Sequence, residues 1–508
     1  MKKKICNIVN FIRLEDHRMP HIAHFEPVQE QMKLIKKYNF PATWLLQFDA
    51  LKAGPYADFF KKEMPGNHEI GLWMEINRMH CDAAGIEFRG RDGINWDHHS
   101  QASLTIGYRP AEREKLVDTA MALFHETFGY YPVSVAAWYL DAYTIQYMEQ
   151  KYRIKATSNC RDQWGTDGYS IWGGFWAGAY YPSQVNANLP GESAATQINV
   201  PLFRMLGSCP INQYDCALGD NGQGVTTLEP TCCKEKEWMD KLFRNMFNNL
   251  ATDYSYIQLG QENSFGWPRM KEGYEMQMEN LAEYVKNDGV EVMTMGDTGK
   301  WYLNTYKETV PLSTVALEDP WPAQRQTFWF NSRYYRVSLL RDGNTLELQD
   351  LHCFSDRYAE TYLKRRCHTH AMVTDALPVT EGFLHKEIGL PANLRIQIKK
   401  DGIWKELTSQ DCTADTSVNN QLSVSFGPFL WKFTETAIEM KMQDDTPWRI
   451  VMPYHKSTFR QATCEKIAYC HNGCSYDVGL YGIESVDVQN NVLLLMPLPS
   501  SPVRFFPG

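Results

Sequence analysis

Over roughly its first 300 residues the chain alternates short apolar runs with segments of helical spacing, and this alternation limits the fold more than any other feature. Strands are read at residues 5–14, 42–47, 69–74, 133–138, 154–158, 255–259 and 290–294. Helices are read between them at 27–38, 113–128, 144–152, 234–250 and 274–287. Strands separated by helices pair in parallel, because the crossover between parallel neighbours takes about a helix's length of chain. A count near eight favours a closed or nearly closed (β/α) barrel of seven or eight strands over an open sheet. In such a barrel the chemistry sits on the loops at the C-terminal ends of the strands.

Two departures from the alternation divide the chain. Residues 165–231 are rich in Gly, Asn, Tyr and Trp and lack helical periodicity, which reads as an insert forming a lid or substrate wall. From about residue 305, runs such as those at 326–330, 335–340, 394–398, 421–426 and 437–442 alternate apolar and polar residues between turns. That is the pattern of an antiparallel β-sandwich. The expected organisation is an α/β barrel over 1–304 followed by a β-sandwich over 305–508.

Charge and composition narrow the function. Sixty acidic residues outnumber 51 Lys and Arg, and no basic run stands out, so a nucleic-acid partner is not expected. Fifteen Trp and 27 Tyr suit stacking on the C–H faces of an oligosaccharide or polysaccharide, though large aromatic cores would use them equally. The apolar stretch after Lys2, Lys3 and Lys4 ends at Arg13, too short for a leader, and no stretch is long enough to span a membrane. A cytoplasmic protein is expected. Thirteen Cys spread over the length read as reduced thiols, and neither Cys464, Cys470, His471 and Cys474 nor Cys367, His368 and His370 has standard zinc spacing.

Four constellations carry polar groups that are costly to bury unless paired or functional. Arg13, Glu15, Asp16 and His17 follow the first apolar run. His68, Trp73, Glu75 and Asn77 surround the third. Asp162 and Trp164 open the insert. Glu262, Asn263 and Trp267 follow the run at 255–259, and Trp138 and Asp141 end the one at 133–138.

In order and spacing these segments resemble the polysaccharide deacetylase family, the NodB-homology group, over residues 5–300 or so. Arg13 to His17 hold the place of that family's paired aspartates. His68-Glu-Ile-Gly71 matches its second motif, but Trp73 and Asn77 stand where its two metal-binding histidines would be. Ala136 to Tyr139 and Arg161 to Trp164 hold the places of two later motifs. A second, weaker similarity is to family 57 glycoside hydrolases, through Glu262-Asn-Ser-Phe265-Gly-Trp267-Pro and Trp138 to Asp141.

The resemblance implies a carbohydrate-active hydrolase. The reading taken is cleavage of glycosidic bonds by Glu15, Asp16, Asp141 and Glu262, with His17, His68, Trp73, Trp138, Asp162, Trp164, Asn263 and Trp267 binding the glycan. The alternatives are a deacetylase with a rebuilt metal site, or a non-catalytic glycan binder. No spacing demands a cofactor; the first alternative implies a divalent ion such as Zn2+, with Asp16 a ligand.

Overall fold

The computed structural model describes residues 2–205, 209–216, 235–247, 250–381 and 393–508. Its N-terminal part is a nearly closed barrel. The strands are β1 (Lys4–Ile12), β2 (Thr43–Leu46), β3 (Glu69–Trp73), β4 (Ser134–Ala136), β5 (Ala156–Cys160), β6 (Gln163–Thr166), β7 (Tyr169–Ile171), β8 (Ala179–Tyr180), β9 (Leu202–Met205), β10 (Ser255–Leu259) and β11 (Glu291–Met293). Parallel ladders run in the order β10-β1-β2-β3-β4-β5-β9, with β8 antiparallel on β9 and β11 beside the start of β1. Eight of the nine residues of β1 are buried, as a strand covered on both faces requires. Between β9 and β10 the wall is closed by side chains: the Phe203 and Tyr256 rings lie 4.9 Å apart, and Gln258 Nε2 donates to Met205 Sδ at 3.4 Å.

Local chemistry sets the boundaries. The first strand, read as ending at residue 14, stops at Ile12, because the Arg13 backbone bonds to the Asn263 side chain instead of a neighbouring strand. The helix read from 274 begins seven residues earlier as Trp267–Asp288, with Pro268 in its first turn, where a missing N–H costs nothing. Gly71 lets β3 and β4 approach: a Cβ there would lie 2.4 Å from Ser134 O. The segment 165–231, read as an insert, also supplies a barrel strand, β9, whose four buried residues pair with β5.

From β12 (Leu312–Ala316) onward the described sheets are antiparallel apart from one strand. In β12, β13 (Gln326–Asn331), β14 (Tyr335–Asp342), β15 (Thr345–Cys353) and β17 (Leu377–Thr380) neighbours pair antiparallel in that order, while β16 (Met372–Thr374) joins β7 in parallel. Strands Leu422–Phe426, Phe429–Phe433 and Ile438–Met442 bury alternate residues, and Phe429 meets Trp448 of another sheet edge-on at 4.9 Å.

The C-terminal sheets are built into the barrel. Arg336 of β14 is wholly buried and spans Asp162 (2.6 Å) and Asp350 (2.7 Å). Glu360 accepts from Tyr139 Oη at 2.6 Å, Ala142 N at 2.9 Å and Ala187 N at 3.0 Å. Among the described residues no helix is long and apolar enough to cross a membrane.

Candidate active site

At the C-terminal end of the barrel strands the chain buries a charged centre on Arg13, the first residue past β1. Its Nε donates to Glu75 Oε2 at 2.8 Å, and its Nη1 donates to Glu262 Oε2 and, at 3.2 Å, to Ser264 Oγ. Glu75 leaves the end of β3 and Glu262 the end of β10, so one guanidinium joins acids from two strand ends. Asn263 clamps the same residue by its backbone, accepting from Arg13 N at 2.9 Å and donating to Arg13 O at 2.8 Å. All of these side chains are at least nine-tenths buried, and the pairing is what makes their burial bearable.

Rings wall this centre. The guanidinium carbon lies 4.0 Å from the Trp96 ring and 5.9 Å from the Trp138 ring. Phe11 stacks on Trp73 at 4.2 Å, and Trp73 meets Trp138 edge-on at 5.0 Å. Trp73 Nε1 donates to Glu75 Oε2 at 2.7 Å. Three buried donors here have no acceptor among the described residues: Arg13 Nη2, Trp96 Nε1 and Trp138 Nε1. A buried N–H without an acceptor costs about 1–3 kcal/mol, so the three donors are a local cost of this arrangement.

The predicted site residues fall into three groups. Glu262, Asn263, Trp73 and Trp138 belong to the Arg13 centre. Asp16 borders it, 3.9 Å from Arg13, but both its oxygens are held by Arg18 at 2.8–3.0 Å; burial opposes ionisation, and the arginine contacts outweigh it and lower the carboxyl. His17 turns toward the loop at 91–99, and Glu15 is exposed.

The other predicted residues have structural partners. Asp141 caps the helix Ala142–Tyr152, accepting from Thr144 N at 3.0 Å and from Arg113 at 2.8 Å, so its carboxylate is spent on the fold. Asp162 holds Arg336 and Gln213. Trp267 begins the helix it was read beside and is buried. Trp164 is 36% exposed, against Trp172. His68 precedes β3 and so lies at the opposite end of the barrel, between Trp44 Nε1 (3.0 Å) and Phe40 O (3.0 Å). Burial lowers it to about 4 and keeps it neutral, so it is a core histidine.

Three members of the centre are not among the site residues expected from the sequence: Arg13, Glu75 and Trp96. Arg13 and Glu75 stand in the constellations without a site role, and Trp96 stands in none. A charged residue directly after eight buried positions was the signal for Arg13. Glu75 two residues past a strand end was the signal for the second acid.

A metal at the family's usual place does not fit these residues. Trp73 presents an N–H donor, and Asn77 Oδ1 is used in capping a helix through His80 N at 2.9 Å. Asp16 faces two guanidinium groups. No divalent ion has a reason to displace that set.

The parallel barrel is a fold that this chain shares with solved structures of low sequence identity. The crystal structure of a Parabacteroides distasonis protein provisionally named glycoside hydrolase/deacetylase matches 74% of this chain and 90% of its own, at 13% identity and a TM-score of 0.50. A provisionally named polysaccharide deacetylase from Mycobacterium smegmatis matches 59% and 90% (14% identity, TM-score 0.37). The 4-alpha-glucanotransferase of Thermococcus litoralis matches 100% and 99% (9% identity, TM-score 0.29). No protein-family model and no curated protein matches the sequence.

Proposed function

We propose that the chain is a carbohydrate-active hydrolase that cleaves glycosidic bonds at the Arg13 centre. The observation that carries this is the trio of unpartnered buried donors, Arg13 Nη2, Trp96 Nε1 and Trp138 Nε1, beside two carboxylates and within a wall of rings. Sugar hydroxyls are acceptors that would satisfy the donors, and sugar C–H faces match the rings. The fold is consistent with this, since its functional loops gather at the same strand ends.

Within this reading the roles follow from the ion pairs. Glu262 and Glu75, from two strand ends, share the Arg13 guanidinium. They are the two carboxyl groups that cleavage needs, one protonating the leaving oxygen and the other acting as nucleophile or as base toward water. Asn263 is a positioning residue that fixes the backbone of Arg13. Because the donors are covered, a glycan reaches them as the loop carrying Trp96 parts from Arg13.

The test is product analysis on a panel of α- and β-linked oligosaccharides and acetylated polysaccharides. Wild-type protein should release new reducing ends from at least one member, and Glu262→Gln should lower that rate by at least about a hundredfold. Equal cleavage by the variant contradicts the proposal. Release of acetate alone would favour deacetylation, and tight sugar binding without any product a non-catalytic role; either overturns the glycosidic assignment.

A further inference from the structure

Beside the Arg13 centre, but sharing no ligand with it, lies the one group of His, Cys, Asp and Glu among the described residues close enough to hold a metal ion: His17, Asp97 and His98. A ligand atom from each lies within 4.8 Å of the other two. The Cys464 and Cys367 neighbourhoods form no such group.

We infer that His17, Asp97 and His98 form a binding site for a zinc-class divalent cation, and that the Arg91 guanidinium is the positive charge such an ion would displace. Arg91 Nη2 lies 3.0 Å from His17 Nε2 and 2.9 Å from Asp97 Oδ1, so a cationic group already bridges two of the three ligands. An arginine can only donate, so the His17 Nε2 it touches presents a lone pair. That leaves the proton on Nδ1, which donates to Trp96 O at 2.9 Å. A ring nitrogen aimed into a site while its other N–H is fixed on a backbone carbonyl is the orientation that metal-bound histidines adopt.

The other two ligands are equally prepared. Asp97 is fully buried and held by the backbone N–H groups of Arg91 (2.9 Å) and His99 (3.3 Å), so it keeps its position when the Arg91 side chain leaves. His98 stacks on His17 with ring centroids 5.5 Å apart, and its Nδ1, 3.8 Å from Asp97 Oδ1, is buried without a hydrogen bond. His99 Nδ1, 3.4 Å from the same oxygen, is likewise buried without a hydrogen bond. Arg91 is 47% exposed along its side chain and has open solvent to swing into. Two imidazoles and a carboxylate suit Zn2+, Co2+ or Ni2+ and not Mg2+ or Ca2+, which prefer oxygen throughout.

This does not depend on the glycan reading, and it is tested by binding rather than turnover. Full-length protein is stripped with a chelator and titrated with Co2+ while its visible absorption is followed, then challenged with Zn2+. One equivalent of Co2+ should bind with new visible bands that Zn2+ abolishes. His17→Ala and His98→Ala should each weaken binding by at least about tenfold, with circular dichroism unchanged. Arg91→Ala, which removes the competing charge, should tighten it several-fold. No binding, binding indifferent to both histidines, or an Arg91→Ala variant that binds no tighter than wild type overturns the inference. The Arg91 arm decides the matter even if a histidine variant fails to fold.

Discussion

Glu360 shows how one buried group can make the whole chain pH-sensitive. Burial first, and then the nearby Asp141 charge, push its carboxyl from 4.5 up to about 7. Between those values the folded chain keeps a proton that the unfolded chain has released. Stability is therefore full below the unfolded value and is lost as pH rises toward about 7. Thermal melts at about pH 5 and about pH 8 should show a lower Tm at the higher value in wild type. Glu360→Gln should shrink that difference; an unchanged difference would assign the effect elsewhere. Asn263 acts by hydrogen bonding instead. Asn263→Ala leaves the buried N–H of Arg13 without a partner and its C=O with Tyr56 Oη alone at 3.3 Å, and should cost about 1–3 kcal/mol by denaturant melts.

At the scale of elements, what the sequence made legible was whatever depends on local pattern. The strands β1, β2, β3 and β10 were found because strands covered on both faces are rich in hydrophobic residues, even though β1 also buries Asn7 and Asn10. Strand β9 was missed because its four residues include a buried arginine, Arg204, whose partner Asn188 lies 16 positions away. The site divided in the same way. Glu262, Asn263, Trp73 and Trp138 stood beside readable strand ends, whereas Glu75 joins them through Arg13, 62 residues before it. Asp141 read as catalytic because a strand-end acid and a helix cap leave the same sequence trace. Packing between elements gives one further expectation. Gly71→Ala would place a Cβ 2.4 Å from Ser134 O and 2.7 Å from Leu45 Cδ2, forcing β3 away from β4. Stability should fall by about 1–3 kcal/mol, read as a lower denaturant midpoint.

Across the whole molecule, the barrel and the C-terminal sheets share buried charges. A chain ending at residue 304 would lose Arg336 from Asp162 and Glu360 from Tyr139, Ala142 and Ala187. We expect that fragment to melt well below the full chain or to fail to fold, as seen by circular dichroism; an equally stable fragment would show that these contacts contribute little. One of those links, Glu360 to Tyr139, ends on the residue next in sequence to Trp138 of the Arg13 centre. The most direct test of cleavage at that centre is a crystal structure of Glu262→Gln soaked with the oligosaccharide that wild type cleaves. Sugar oxygens are expected within hydrogen-bond reach of Arg13 Nη2 and Trp138 Nε1, with the scissile bond beside residues 75 and 262. A sugar bound elsewhere, with those donors still without acceptors, would contradict the proposed function.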